Sequence, residues 1–192
     1  MPWHTITRNK QNDIMRKLRT IEMKRLSVEE FRDSEKMPLT VVLDDVRSLY
    51  NVGSVFRSCD AFRVKAVYLC GITATPPNNE IHKAALGAED SVEWRYFHDA
   101  EEAVAELHDN GVTVYSVEQV EGSTKLQDIR IDSSSQYAII FGNEVKGVHQ
   151  SVVDASDGCI EIPQHGTKHS LNVSVTAGIV IWEFAKQFWH GN

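Results

Sequence analysis

Ile162-Pro163-Gln164-His165-Gly166-Thr167-Lys168-His169-Ser170-Leu171-Asn172-Val173-Ser174-Val175 sets a loop of small polar residues at the mouth of a strongly apolar run. Such a loop offers backbone amides and carbonyls, two short polar side chains (Ser170 and Asn172) and little bulk. That suits a pocket that grips a small polar molecule through the main chain. The stretch also opens the closing helix, expected from Leu171 to Trp189, whose first turn presents N–H groups with no intrahelical partner.

Upstream, apolar runs and helical patterns alternate. Leu39 to Asp44 reads as a buried strand, Asn51 to Ala61 as a helix with Asn51 at its N-cap, and Lys65 to Cys70 as a second strand. Thr75 to Asn79 is a loop, and Glu80 to Leu86 a helix ended by Gly87. A short strand is expected over Val92–Tyr96 and a helix from an Asp99 cap to Asp109. Strands over Val112–Val117 and Tyr137–Phe141, a short helix over Val148–Ala155 and a last strand over Cys159–Ile162 complete the series. Before Met37-Pro38, the apolar spacing of Ile14, Leu18, Ile21 and Leu26 predicts a helix or helix pair over Asn12–Lys36. Strands alternating with helices imply an α/β fold with a mostly parallel sheet covered on both faces.

The 192 residues suffice for one such domain with a real core, and 42% hydrophobic with 24% charged residues is ordinary globular usage. No apolar run reaches the length of a membrane span. Met1–Lys36 has no signal-peptide apolar core, and Cys59, Cys70 and Cys159 show no paired spacing. A cytoplasmic protein with no membrane partner is expected. The net charge of −7 argues against wholesale basic binding of nucleic acid, but its distribution is uneven. Residues 1–36 carry +3 and the remainder −10. A basic arm over 1–36 on an acidic body over 37–192 fits local phosphate contact; a solvated amphipathic helix is the plainer reading.

Several chemistries are excluded. Gly142-Asn143-Glu144-Val145-Lys146-Gly147 has the glycines of a phosphate loop, but Val148 and His149 stand where that loop needs Lys and Ser/Thr. His165 and His169 have metal-like spacing, yet Gly166 breaks any helix that would align them and no third ligand is evident, so no metal is expected. No Gly-x-Ser-x-Gly elbow occurs. Three polar segments remain: Asn51 to Phe62 with Arg57 within the helix, Phe141 to Val148 with Glu144, and the closing loop. Two follow the carboxyl ends of predicted strands and Asn51 follows a third by a short loop. That is the edge where open α/β sheets bind ligands.

Asn51…Gly53-Ser54…Arg57-Ser58…Ala61-Phe62, then Gly142…Glu144…Gly147, then Ile162-Pro163…Gly166…Ser170-Leu171-Asn172-Val173-Ser174-Val175…Gly178-Ile179…Trp182-Glu183 resemble, in order and spacing, the three motifs of the SpoU (TrmH-like) RNA 2′-O-ribose methyltransferases. The resemblance covers roughly residues 38–188, departs nowhere at these positions, and leaves out the arm, which is too short for the extra RNA-binding domain of some members. It implies the SPOUT α/β knot, deep and trefoil, with the closing segment threaded through a loop, a topology that chain-order rules do not propose. It implies S-adenosylmethionine bound in the knot, a homodimer, and tRNA or rRNA as substrate. Carried over, Val117, Gly142, Gly147, Ile162 and Leu171 contact the cofactor, largely through backbone. Asn51, Arg57, Glu144, Ser170 and Asn172 form the polar catalytic cluster.

Methyl transfer to a ribose hydroxyl needs in-line alignment and removal of a proton from a weak acid. In the family the counterpart of Arg57 is regarded as the base. A guanidinium is almost always protonated, so the alternative is that Arg57 holds an RNA phosphate and orients the ribose while that phosphate or water takes the proton. Asn51 is expected to orient Arg57, Glu144 to fix a loop or the arginine, and Ser170 and Asn172 to hold the loop and the 2′-hydroxyl region. The competing readings are a non-catalytic RNA-binding protein on this scaffold, a base-methylating SPOUT enzyme and a small-molecule α/β enzyme.

Overall fold

The computed structural model describes residues 15–190. Seven strands form one sheet: β1 (Met37–Asp44), β2 (Val64–Cys70), β3 (Glu93–Phe97), β4 (Thr113–Val117), β5 (Thr124–Lys125), β6 (Tyr137–Phe141) and β7 (Gly158–Glu161). Their order is β3-β2-β1-β6-β4-β7-β5 and every pairing is parallel. The helices are α1 (Val28–Asp33), α2 (Leu49–Ala61), α3 (Asn79–Ala85), α4 (Ala88–Ser91), α5 (Ala100–Asp109), α6 (Gln150–Ala155) and α7 (Val173–His190).

The central strands are apolar on both sides, and each side has its own core. Val41 and Leu43 of β1 pack with Phe56 of α2, Ile81 of α3 and Ile181 and Phe184 of α7. Val42 between them packs on the other side with Val104 and Leu107 of α5 and Val152 of α6. The two-residue alternation of a strand thus feeds two layers of helices, as a parallel sheet requires. Helix α2 lies tight on α3: a Cβ on Gly53 would fall 2.4 Å from the Ile81 carbonyl oxygen. No helix among the described residues is long and apolar enough to cross a membrane.

Several boundaries move, each for a local reason. Helix α2 starts two residues before Asn51 because Ser48, not Asn51, caps it, its hydroxyl accepting the Asn51 N–H at 3.3 Å. Helix α7 starts at Val173, not Leu171, with the Asn172 side-chain oxygen accepting the Ser174 and Val175 N–H groups at 2.9 and 3.3 Å. Helix α6 starts at Gln150 because His149, just before it, is bonded to Asp44. Strand β7 runs one residue earlier than expected, β3 begins and ends one later, and β5 and α4 are additions. Asp99 caps α5 as predicted, accepting the Glu102 N–H at 2.8 Å.

The helix or helix pair expected over Asn12–Lys36 lies partly outside the described residues. Within them it is a 3₁₀ turn at Thr20–Met23 and the six-residue α1, started afresh by the Ser27–Glu30 capping box. Met15, Leu18, Ile21 and Leu26 are all exposed, so no burial supports a longer helix there; Phe31 of α1 alone enters the core.

Candidate active site

The strand order reverses its sense of travel at β1, with β2 on one side and β6 on the other. The loops leaving the carboxyl ends of β1 and β6 therefore flank the switch point of the sheet, and the loop after β7 meets them. What joins the three loops is a chain of hydrogen bonds. The Glu144 carboxylate accepts the Arg47 N–H on one oxygen, and the Ser48 N–H and the Asn51 side-chain amide on the other, all at 3.0 Å. The Asn51 side-chain oxygen accepts the Asn172 side-chain amide at 3.1 Å. Because Ser48 caps α2, the buried Asn51 side chain is left to bridge the two other loops. Glu144 sits against the free N–H groups of a helix start, where negative charge is favoured. Partial burial pushes its carboxyl up, but the amides of Arg47, of Glu144 itself and of Ser48, with the Asn51 side chain, outweigh this and hold it below the ordinary range.

The β6 loop is wound tightly. Asn143 and Gly147 exchange two backbone hydrogen bonds at 3.0 and 2.9 Å, and the Asn143 side chain accepts from Val145 and Lys146 and donates to the Asp45 carbonyl. A Cβ on Gly142 would fall 2.1 Å from the Gly147 carbonyl carbon and the Val148 nitrogen. Gly147 has φ +72, and its missing Cβ leaves room for the Glu118 carboxylate, which accepts the Val148 N–H at 3.1 Å. Both glycines are thus required by geometry.

Beside this loop is a cavity of 670 Å³. All five expected cofactor residues line it: Val117, Gly142, Gly147, Ile162 and Leu171. So do Glu144, Ser170 and Asn172. Ser170 is exposed, with no hydrogen bond from its hydroxyl among the described residues. The structure therefore brings together every expected site residue except one. Arg57 lies six residues beyond Asn51, about 120° around α2 from it. It is exposed and its side chain makes no hydrogen bond or ion pair among the described residues, so Asn51 does not orient it within one chain.

One pair escaped the sequence reading. Asp44, buried at the end of β1, receives the His149 N–H at 3.2 Å and contacts its ring nitrogen Nδ1 at 3.0 Å; the other ring nitrogen stands 3.7 Å from Asp45. Burial raises the Asp44 carboxyl, partly countered by His149. Asp44, Asp45 and His149 hold their donor atoms within 4.8 Å of one another, whereas the spaced histidines His165 and His169 lie exposed in the closing loop. An aspartate closing an apolar strand was the available signal; its partner lies 105 residues away.

Residues 38–182 match the SpoU rRNA Methylase family. The chain is 31% identical over 166 residues to the tRNA (guanosine(18)-2′-O)-methyltransferase of Thermus thermophilus, covering 86% of this chain and 84% of that one. It is 31% identical over 153 residues to a 23S rRNA (guanosine-2′-O-)-methyltransferase of Coxiella burnetii, of whose length it spans 60%. Among solved structures, the AdoMet-bound rRNA methyltransferase of Sinorhizobium meliloti superposes with a TM-score of 0.73 at 26% identity, covering 82% of this chain and 59% of that one. The A. aeolicus TrmH/SpoU tRNA modifying enzyme superposes with a TM-score of 0.75 at 24% identity, covering 85% and 82%, and shares the fold.

Proposed function

The chain belongs to the SpoU rRNA methylase family, and from that premise we propose that it transfers the methyl group of S-adenosylmethionine to a ribose 2′-hydroxyl of transfer or ribosomal RNA. The observation that carries this reading is the chain Glu144–Asn51–Asn172, which fastens the three motif loops together at the rim of one cavity.

The cavity fits the cofactor on its own chemistry. Its volume lies within the range of small-molecule sites, and Gly142 and Gly147 let the β6 loop wind tightly enough to form one wall of it. Val117, Ile162 and Leu171 would add the apolar part of the wall. Bound there, S-adenosylmethionine supplies a methyl group on a cationic sulfur, open to in-line attack by a hydroxyl oxygen.

The protein's own part is positioning. Ser170 offers its unengaged hydroxyl from the cavity wall to the ribose. Asn172 is held at both ends, by Asn51 and by the start of α7, and keeps that loop in place. Glu144 does not serve as the base, because four donors of the α2 start and its own loop draw on its carboxylate and favour its charged form. Arg57 grips a phosphate of the RNA, and the hydroxyl proton leaves to that phosphate or to water.

The finer reading is a homodimer with a knotted closing segment. Val175, Ile179 and Trp182 form an exposed apolar stripe on α7, which suits a second copy. The seating of β6 between β1 and β4, and of β7 beyond β4, suits a closing segment that passes back through the chain. We read residues 37–192 as the catalytic domain of a cytoplasmic protein and residues 1–36 as a basic arm on RNA phosphate.

The test is incubation with labelled S-adenosylmethionine and total transfer or ribosomal RNA from cells lacking the gene, followed by mass spectrometry of the nucleosides. A 2′-O-methylated nucleoside is the expected product. Methyl on a base, or cofactor binding with no transfer to either RNA, would overturn the reading.

A further inference from the structure

Tyr50 and Arg57 stand seven residues apart on α2, which places them within about 20° of one helical direction and roughly 10 Å apart along the axis. Tyr50 is 59% exposed, yet its ring is not free to swing. Its hydroxyl donates to Glu80 at 2.6 Å, and Lys83 holds Glu80 from the other side at 2.6 Å. With its polar end used inside the molecule, the residue offers its ring outward. A ring already held in place loses little further freedom when a partner arrives.

On the same face Arg57 offers a guanidinium with no anionic partner among the described residues, in a chain whose net charge is −7. A fixed aromatic surface beside an unneutralised cation is the chemistry that takes an unpaired nucleotide, base on ring and phosphate on guanidinium. The face begins in the first turn of α2, and the residues just before that turn, Arg47 and Ser48, donate their N–H groups to Glu144 at the cavity rim.

We infer that Tyr50 is a base-stacking residue of the RNA site: a nucleotide flanking the methylated one lies on its ring, with the backbone phosphate on Arg57. This rests on the methyltransferase reading of the same site and narrows its substrate class. A base can reach the ring only when it is out of the helical stack, so the target lies in a loop, bulge or single strand rather than in a continuous duplex.

Filter binding of total transfer RNA, and separately of deproteinised ribosomal RNA, at one fixed salt concentration tests the assignment. Tyr50→Ala is expected to weaken binding of the RNA that the wild type holds by about 5- to 150-fold, the span of base-on-aromatic stacking. Tyr50→Phe, which keeps the ring, is expected to stay within about threefold of wild type. Calorimetric affinity for S-adenosylmethionine and the sedimentation coefficient are expected to hold in both variants. Undiminished binding by Tyr50→Ala overturns the assignment. So does an equal loss in both variants, which would make the hydroxyl contact with Glu80 the operative one. A change of oligomeric state in Tyr50→Ala also overturns it, because a second copy would then cover the ring. Binding requires no turnover, so RNA held through Tyr50 without methyl transfer refutes the enzymatic reading alone.

Discussion

Two cavities sit at opposite ends of the parallel strands. The one at the amino ends is the larger, 880 Å³ against 670 Å³. Some of its side chains are paired, Arg95 with Glu106 across β3 and α5 and Lys65 with Gln136 at 2.6 Å, while Glu89 keeps one buried carboxylate oxygen with no hydrogen-bond partner among the described residues. At the carboxyl ends the polar groups are organised differently. Three loops are pinned to one another through Glu144, Asn51 and Asn172, while the side chains of Ser170 and Arg57 have no partner among the described residues. Volume does not distinguish a working site from a gap in the surface. The distinction lies in whether hydrogen bonds fasten loops from several strands around one space, as Glu144, Asn51 and Asn172 do.

The contrast can be broken most directly at Arg57. Arg57→Ala is expected to lower the methyl-transfer rate by about 10²-fold or more, with calorimetric affinity for S-adenosylmethionine retained. Near-normal turnover would remove Arg57 from the site. If His165→Ala proved as damaging, a histidine base would become the better account. Next in size is Gly142→Ala. The added Cβ meets backbone rather than a yielding side chain, so the β6 loop must open. Overpacking of about 1–3 kcal/mol is expected, read as roughly 5- to 150-fold weaker cofactor binding.

Glu144→Gln sharpens the comparison by pH. The folded-state pKa of Glu144 is depressed, so its contribution is complete above the free-glutamate value of about 4.3 and is lost as pH falls through the depressed value. Near neutrality the variant is expected to melt about 2–4 °C below the wild type, the shift that ~1 kcal/mol gives a chain of this size. The two melting curves should converge in acid. A constant difference across the series would show that the charge is not what holds the loop. The smallest effect belongs to the other cavity. Glu106→Gln is expected to change stability by no more than ~0.5 kcal/mol and to leave transfer unaltered, because an exposed pair adds little. A loss of activity there would mean that the amino-end cavity has a role of its own.

The sheet was legible because its signal is local. Runs such as Val41-Val42-Leu43 and Tyr137 to Phe141 must be buried on both sides, and Asp99 announces the start of α5 within four residues. The short β5 and α4 carry no such periodicity. The site residues were legible through their motifs, but not their connections. Asn51 looked like a helix cap because asparagine favours that position; Ser48 takes it, and only the fold shows that Asn51 faces Glu144 and Asn172. The pairing of Asp44 with His149 is likewise written nowhere in the spacing. Arg57 shows the opposite limit: the motif includes it, yet the geometry of one chain leaves it outside the cluster.

The Asn51–Asn172 hydrogen bond joins residues 121 positions apart. During synthesis the strands β1 to β7 can pair while Asn51 still lacks that partner. The rim of the cavity is completed only when Ser170 to Asn172 and the helix behind them have left the ribosome. A nascent chain would therefore hold the motif of Asn51 and Arg57 well before its cavity rim was complete. Methyl transfer becomes available only once the closing loop has reached Asn51.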